Sequence, residues 1–197
     1  MTTRALHRIL GIVMVLPFVA WAVTGAIFFI KPGYGGAYES LPLKTYPLEA
    51  SVSLAANSSW LEARLIRTIA GQHLLVRTAA GWQHLAPESL QPRPAPSESE
   101  VRAIIADACA SNLSRYGQVV AVNGLTATTD TGVHVTLDWT RLTLSQRGRD
   151  TARIDGLYKI HYLQWTGVPD VDRVLGAVGL VGILVLTGLG VFLFFRK

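Results

Sequence analysis

The sequence predicts an α+β protein in which two transmembrane helices, one near each end, flank a small domain of antiparallel sheet and one helix. Three observations predict it. Residues 9–30 and 174–195 form two runs of 22 residues without a single charge. The stretch between them alternates short period-2 segments with turn residues, the pattern of a meander. One segment of helical period interrupts those strands.

A bilayer core of about 30 Å needs roughly 20 helical residues, so each apolar run is long enough to cross it. Neither run keeps the polar face of a helix packed on a soluble core. Composition agrees: 50% of the chain is apolar and only 16% charged, which is poor in charge for a soluble protein. The first run admits a second reading, a cleaved signal peptide. Arg4 and Arg8 precede it, and Ala20-Trp21-Ala22 resembles a cleavage site. The apolar run continues for eight residues past Ala22, beyond a usual signal core, so an uncleaved anchor is expected. A mature protein starting at Val23 would refute that.

Basic residues near the span ends set the orientation. Arg4 and Arg8 precede the first span and Arg196 and Lys197 follow the second, against Lys31 and Arg173 on the other side. The bias places both termini in the cytoplasm and the middle outside, in the periplasm of a bacterium with an inner membrane. The expected organisation is a cytoplasmic tail and first span over residues 1–31, a periplasmic domain over 32–156, and an interfacial segment, second span and tail over 157–197. Residues 31–171 carry 13 basic and 12 acidic side chains. The domain is nearly neutral, which argues against a nucleic-acid surface. The single cysteine, Cys109, excludes an intrachain disulfide. It stands among Ala106, Ala108 and Ala110 and reads as a small buried residue.

In chain order, Lys31-Pro32-Gly33 ends the first helix, and Pro42 and Pro47 keep the next stretch extended. Residues 62–69, 72–78 and 82–85 read as strands, with Ala79-Ala80-Gly81 as a turn. The prolines of residues 91–96 break the pattern. Ser97 and Glu100 have capping-box spacing, and Val101, Ile104, Ile105 and Ala108 follow at helical spacing, so a helix is expected from Ser97 to about Arg115. Residues 118–122 and 133–139 read as strands. In the latter, Val133, Val135, Leu137 and Trp139 face one way and His134, Thr136 and Asp138 the other. Residues 142–144 extend the sheet. Tyr158, His161, Tyr162 and Trp165 share one helical face, expected as an interfacial helix over residues 157–165 that leads through Gly167-Val168-Pro169 into the second span.

The chain shows no hydrolase signature and no phosphate-binding glycine loop, so enzymatic activity stays open. His73, His84 and His134 lie in expected strands and read as solvated or core-edge residues. His7 and His161 sit at membrane boundaries. His7 shares a stripe with Gly11, Met14, Phe18 and Gly25 on an ideal helix. A histidine followed one turn later by glycine leaves room for a planar cofactor such as haem, whose iron takes a neutral imidazole. The plainer reading is an interfacial histidine that anchors the helix end beside Arg8. The expected topology separates His7 from His161 by about a bilayer thickness, some 30 Å, so they cannot share one iron. Each would need a partner histidine, as in a homodimer or with another membrane subunit. Gly176, Gly179, Gly182, Thr187 and Gly190 fall within about 140° on an ideal helix. Small residues let backbones approach closely in lipid. This face fits the first span, a second copy or another membrane protein equally well. Gly11 and Gly25 offer the same kind of position on the first span.

The two ends resemble the PepSY-associated transmembrane family of bacteria. Leu6-His7-Arg8-Ile9-Leu10-Gly11 and Thr24-Gly25 resemble its opening helix. Ile160-His161, Gly167-Val168-Pro169, Arg173 and the glycine-rich run through Thr187-Gly188 to Arg196 resemble its closing helix. Residues from Glu62 through Ala86-Pro87 to Ser97 resemble a diverged PepSY module. Larger members have four spans and include siderophore-iron reductases that bind b-type haem. The resemblance implies that His7 and His161 occupy ligand positions, and that a two-span chain completes a haem site only as a dimer or with a partner subunit. Two functions follow as expectations. One is a haem-bearing electron carrier of the inner membrane, in iron-siderophore reduction or respiration. The other is a non-enzymatic accessory subunit whose periplasmic domain binds another protein while its helices dock to a larger complex.

Overall fold

A computed structural model describes residues 2–49 and 57–196; Met1, residues 50–56 and Lys197, one of the flanking charges used above, fall outside the description. The described elements are α1 (Thr3–Ile30), the one-turn α2 (Tyr34–Ala37), β1 (Glu62–Thr68), β2 (Gly71–Thr78), β3 (Gly81–Leu85), α3 (Glu98–Cys109), the one-turn α4 (Leu113–Tyr116), β4 (Val119–Asn123), β5 (Thr126–Thr129), β6 (His134–Asp138), β7 (Thr143–Arg147), α5 (Arg149–His161) and α6 (Pro169–Phe195). They form a helical unit, residues 1–35 with 150–197, and a central unit, residues 36–149. The fold class is α+β, with two long apolar helices at the termini and antiparallel sheet between them.

The central unit holds two sheets where the sequence suggested one. β1-β2-β3 and β4-β5-β6-β7 are separate antiparallel meanders. The strand that escaped the sequence reading is β5, four residues of which only Ala127 is apolar, too short to show a period. The expected turn joins β2 to β3, where Thr78 pairs with Gly81 and Gly81 takes a φ of 126°, a conformation open to glycine. Ser97 caps α3 as expected. Its hydroxyl accepts the Glu100 N–H at 3.3 Å, and the Glu100 carboxylate accepts the Ser97 N–H at 2.8 Å. The helix stops at Cys109, short of Arg115. A 3₁₀ turn follows, and Asn112, in a non-helical conformation, opens α4 by accepting the Arg115 N–H at 3.2 Å.

The core lies where α3 meets both sheets. Val101, Ile104, Ile105 and Ala108 pack with Leu75 of the first sheet and Ala127, Val135 and Leu137 of the second. Each fully buried Val, Leu or Ile side chain here contributes about 1.5–3 kcal/mol. Cys109 is buried in this cluster, and desolvation pushes its thiol up to about 11. In β6 the alternation holds: Val135 and Leu137 are buried, and His134, Thr136 and Asp138 are exposed. Leu74, Val76 and Leu85 form a second cluster on the opposite face of the first sheet.

In the helical unit, α1 with 28 residues and α6 with 27 span about 40 Å each. Both are long and apolar enough to cross a membrane. Their outer faces expose Ile12, Val13, Leu16, Phe29, Val174, Val181, Leu184 and Phe194, an apolar surface that suits hydrocarbon and not water. α6 opens with Pro169 in its first turn and Asp170 and Asp172 beside it, which suits the positive end of the helix dipole.

The helix expected over residues 157–165 lies earlier, at Arg149–His161. It ends in a Schellman turn: the Gln164 N–H bonds to Lys159 O at 2.8 Å, the Leu163 N–H to Ile160 O at 3.3 Å, and Leu163 takes a φ of 56°. Trp165 therefore falls off the expected aromatic face, and its ring N–H bonds back to Ile160 O at 3.1 Å.

Candidate functional site

α1 and α6 pack antiparallel, and glycines of α6 set how closely they approach. A Cβ at Gly182 would stand 2.8 Å from Met14 Sδ, one at Gly179 2.6 Å from Leu163 Cδ1 and 3.4 Å from Trp21, and one at Gly190 3.4 Å from His7 Cε1. Gly176 lies against the Tyr162 carbonyl, and Gly11 meets Leu186 at ordinary contact distance. Nothing stands within 4 Å of a Cβ at Gly25, and Thr187 is exposed, so neither lies in this contact. The small-residue face of α6 thus meets the first helix of the same chain.

That register places His7 and His161 apart. His161 sits beside Trp21, Thr24 and Phe28. Seventeen residues separate His7 from Thr24 on α1, about 26 Å at 1.5 Å per residue. The structure does not bring the two histidines to one site.

The surroundings of His161 fix its tautomer. Thr24 Oγ1 stands 2.5 Å from the Ala20 carbonyl one turn back and 2.8 Å from His161 Nδ1. The carbonyl only accepts, so it takes the Thr24 hydroxyl proton. Thr24 Oγ1 then accepts from His161 Nδ1–H, and among the described residues no hydrogen bond is made by Nε2. The Trp21 ring N–H donates to the His161 carbonyl at 2.6 Å. Phe28 and Tyr162 meet the imidazole edge-to-face, with centroids 5.1 and 5.5 Å away. The ring is held by two elements and by its backbone. It lines a cavity of about 360 Å³ whose walls are Trp21, Leu163, Leu180 and Ile183 with Tyr162 and Gly176. A neutral imidazole presenting one free nitrogen among apolar side chains is a ligand for a soft or borderline metal centre. The hydrogen bond from its other nitrogen is the support that metal-bound histidines ordinarily have.

His7 differs. Its Nδ1 is buried without a hydrogen-bond partner. A ligand that bonds through Nε2 would leave an unpaired Nδ1–H, at about 1–3 kcal/mol. Of the two expected ligand positions, His161 is the prepared one. Thr24 was visible in the sequence as part of Thr24-Gly25, but its role was not, because the partner histidine is 137 residues away.

The central unit holds an arrangement the sequence reading missed. His73 and His84 are buried, contrary to the solvated or core-edge positions expected. They face the main core because Leu75 pairs with His84 across the β2–β3 hairpin and His73 is two residues from Leu75. His84 Nδ1 lies 2.8 Å from the Trp139 carbonyl, His84 Nε2 lies 3.1 Å from His73 Nδ1, and His73 Nε2 lies 2.8 Å from Thr68 Oγ1. The carbonyl again sets the direction. His84 donates to Trp139, His73 donates to His84, and Thr68 donates to His73. In this arrangement both rings are neutral, the state that their desolvation favours. Desolvation, then the Arg93 and His84 charges, depress His73 to about 3, partly opposed by Glu100. Desolvation also lowers His84. With every nitrogen spent, this pair has no free lone pair for a metal. His134 is exposed and bonds to Thr128 at 3.0 Å. Among the described residues no group of three or more His, Cys, Asp or Glu side chains is placed to hold a metal ion.

Compared with known protein families, with curated proteins and with solved structures, the chain matches none.

Proposed function

We propose that this chain is a bacterial inner-membrane protein of the PepSY-associated transmembrane type. Its termini lie in the cytoplasm, and its central unit is a PepSY-like periplasmic domain. In this reading the helical unit binds b-type haem through His161 and passes electrons across the membrane, in iron-siderophore reduction or respiration. One observation carries the haem reading: the Thr24 hydroxyl oxygen accepts the hydrogen bond of His161 Nδ1–H, and the ring lines an apolar cavity. The donor set fits a b-type haem, which when bound supplies a one-electron couple at its iron. Thr24 holds the tautomer, Trp21 fixes the His161 backbone, and Phe28 and Tyr162 hold the ring plane. Trp21, Leu163, Leu180 and Ile183 keep water from the ligand face. A second histidine to hold the group would come from a second copy of the chain or from a partner subunit, and His7 marks the corresponding position toward the other end of α1.

The test is an absorption spectrum of the full-length protein purified from haem-replete cells. A Soret band and a reduced α-band that vanish in His161→Ala support the reading. Their absence in the wild type would refute it and leave the accessory-subunit function, in which the central domain binds another protein and the helices dock to a larger complex.

A further inference from the structure

The cavity beside His161 does not end at its apolar walls. Tyr162, Gly176 and Leu180 also line a neighbouring cavity of about 920 Å³, whose other lining includes Lys159, Arg173, Gln164 and Thr166. The two spaces therefore adjoin, and their chemistry is graded. The inner part is apolar and is lined by His161. The outer part is the more polar of the two and carries two cations. Lys159 is exposed; its charge acts on Asp172, and its ammonium makes no hydrogen bond among the described residues. Arg173 pairs with Asp170, an exposed pair at 3.0 Å that exchanges easily with another anion. The one anion lining this part, Asp172, already accepts the Thr166 N–H at 2.9 Å and the Thr166 hydroxyl at 2.7 Å, so its oxygens are partly occupied.

From this grading we infer that Lys159 and Arg173 bind the carboxylates of the ligand whose metal meets His161, and so fix which way it enters the helical unit. The inference rests on the haem reading of that cavity. It adds that Lys159 and Arg173 would hold the two propionates of the porphyrin at the turn between α5 and α6, and that a porphyrin without free carboxylates would be held less well. Exposed ion pairs contribute up to about 1 kcal/mol each, roughly fivefold in affinity per pair, so together the two are worth roughly tenfold or more.

The test compares haem with haem dimethyl ester, titrated by Soret absorbance into full-length apoprotein in a neutral detergent. Wild type should bind haem roughly tenfold more tightly than the ester. Lys159→Gln/Arg173→Gln should close that gap by weakening haem alone, and Lys159→Arg/Arg173→Lys should keep it. Equal wild-type affinities with a His161-dependent Soret band would overturn the carboxylate clamp and leave the haem reading standing. A gap that survives in the glutamine variant, or a loss of ester binding equal to the loss of haem binding, would overturn the assignment to these two residues. No binding of either compound would overturn both readings.

Discussion

Acidification should destabilise the central unit before its carboxylates are neutralised, because two neutral histidines close its core. An unfolded His73 has an ordinary value of 6.5, and the folded one is depressed to about 3. Between these values the unfolded chain holds one proton more than the folded chain. Stability from this group is fully present above pH 6.5, falls as the pH drops through that window, and is lost by about pH 3. The loss runs at about 1.36 kcal/mol per pH unit, hence about 2.7 kcal/mol by pH 4.5. His84 shifts in the same direction and adds to the loss. Protonating His84 Nε2 would also oblige His73 to move its own proton to Nε2 and donate to Thr68, or else set two N–H groups against each other across the 3.1 Å contact. Denaturant unfolding of the full chain in neutral detergent reads the change, because Trp139 lies 4.3 Å from His84 between ring centroids and its emission reports the site. The midpoint should fall between pH 7.5 and 4.5 by an amount that matches about 3 kcal/mol or more. Carbon-13 ring resonances give the direct value. A His73 signal that titrates above pH 6 would refute the argument, whatever the unfolding curve does.

Three substitutions test other parts of the structure. Thr24→Val removes the acceptor for His161 Nδ1–H and, on the proposed haem reading, should weaken haem binding about 10- to 100-fold, read by Soret titration, with the helical content unchanged by circular dichroism. Gly182→Leu drives a side chain into Met14, whose Sδ lies 2.8 Å from the Cβ position. It should cost the α1–α6 contact about 1–3 kcal/mol, seen as earlier unfolding in mixed micelles. Gly117→Ala meets Asp130 Oδ1 at 1.8 Å at a φ of 60°, and that carboxylate also accepts the Gln118 N–H. It should destabilise the central unit by about 2–4 kcal/mol, measured by the same denaturant unfolding.

Sequence periodicity revealed the elements that carry their own signal. The two long helices follow from uninterrupted apolar runs, α3 from its capping box and apolar stripe, and β6 from strict alternation. What escaped depends on partners distant in sequence or on backbone geometry. β5 is too short to show a period. α5 ends at His161 because Leu163 turns left-handed, and leucine gives no such signal. The histidine pair escaped by one residue of register: the expected three-residue turn Ala79-Ala80-Gly81 would set Val76 against His84, whereas the two-residue turn pairs Thr78 with Gly81 and Leu75 with His84, and that puts His73 on the same face. The Thr24–His161 contact lay beyond reach, since it requires the docking of α5 against α1.

The five histidines separate by a criterion that residue type alone does not supply. A neutral imidazole has one donor and one acceptor nitrogen, and what matters is which of the two is already spent. In His73 and His84 both are, so the pair is a closed structural joint, and its response to acid is a loss of stability. In His7 one nitrogen is buried with nothing to bond, which penalises any ligand on the other. In His161 one nitrogen is spent on Thr24, the other makes no hydrogen bond among the described residues, and the residue lines an apolar cavity. Burial by itself would have pointed to His73, fully buried, as the functional histidine. Tracing each proton to its acceptor points instead to His161, because a ligand site needs an imidazole that is satisfied on one side only.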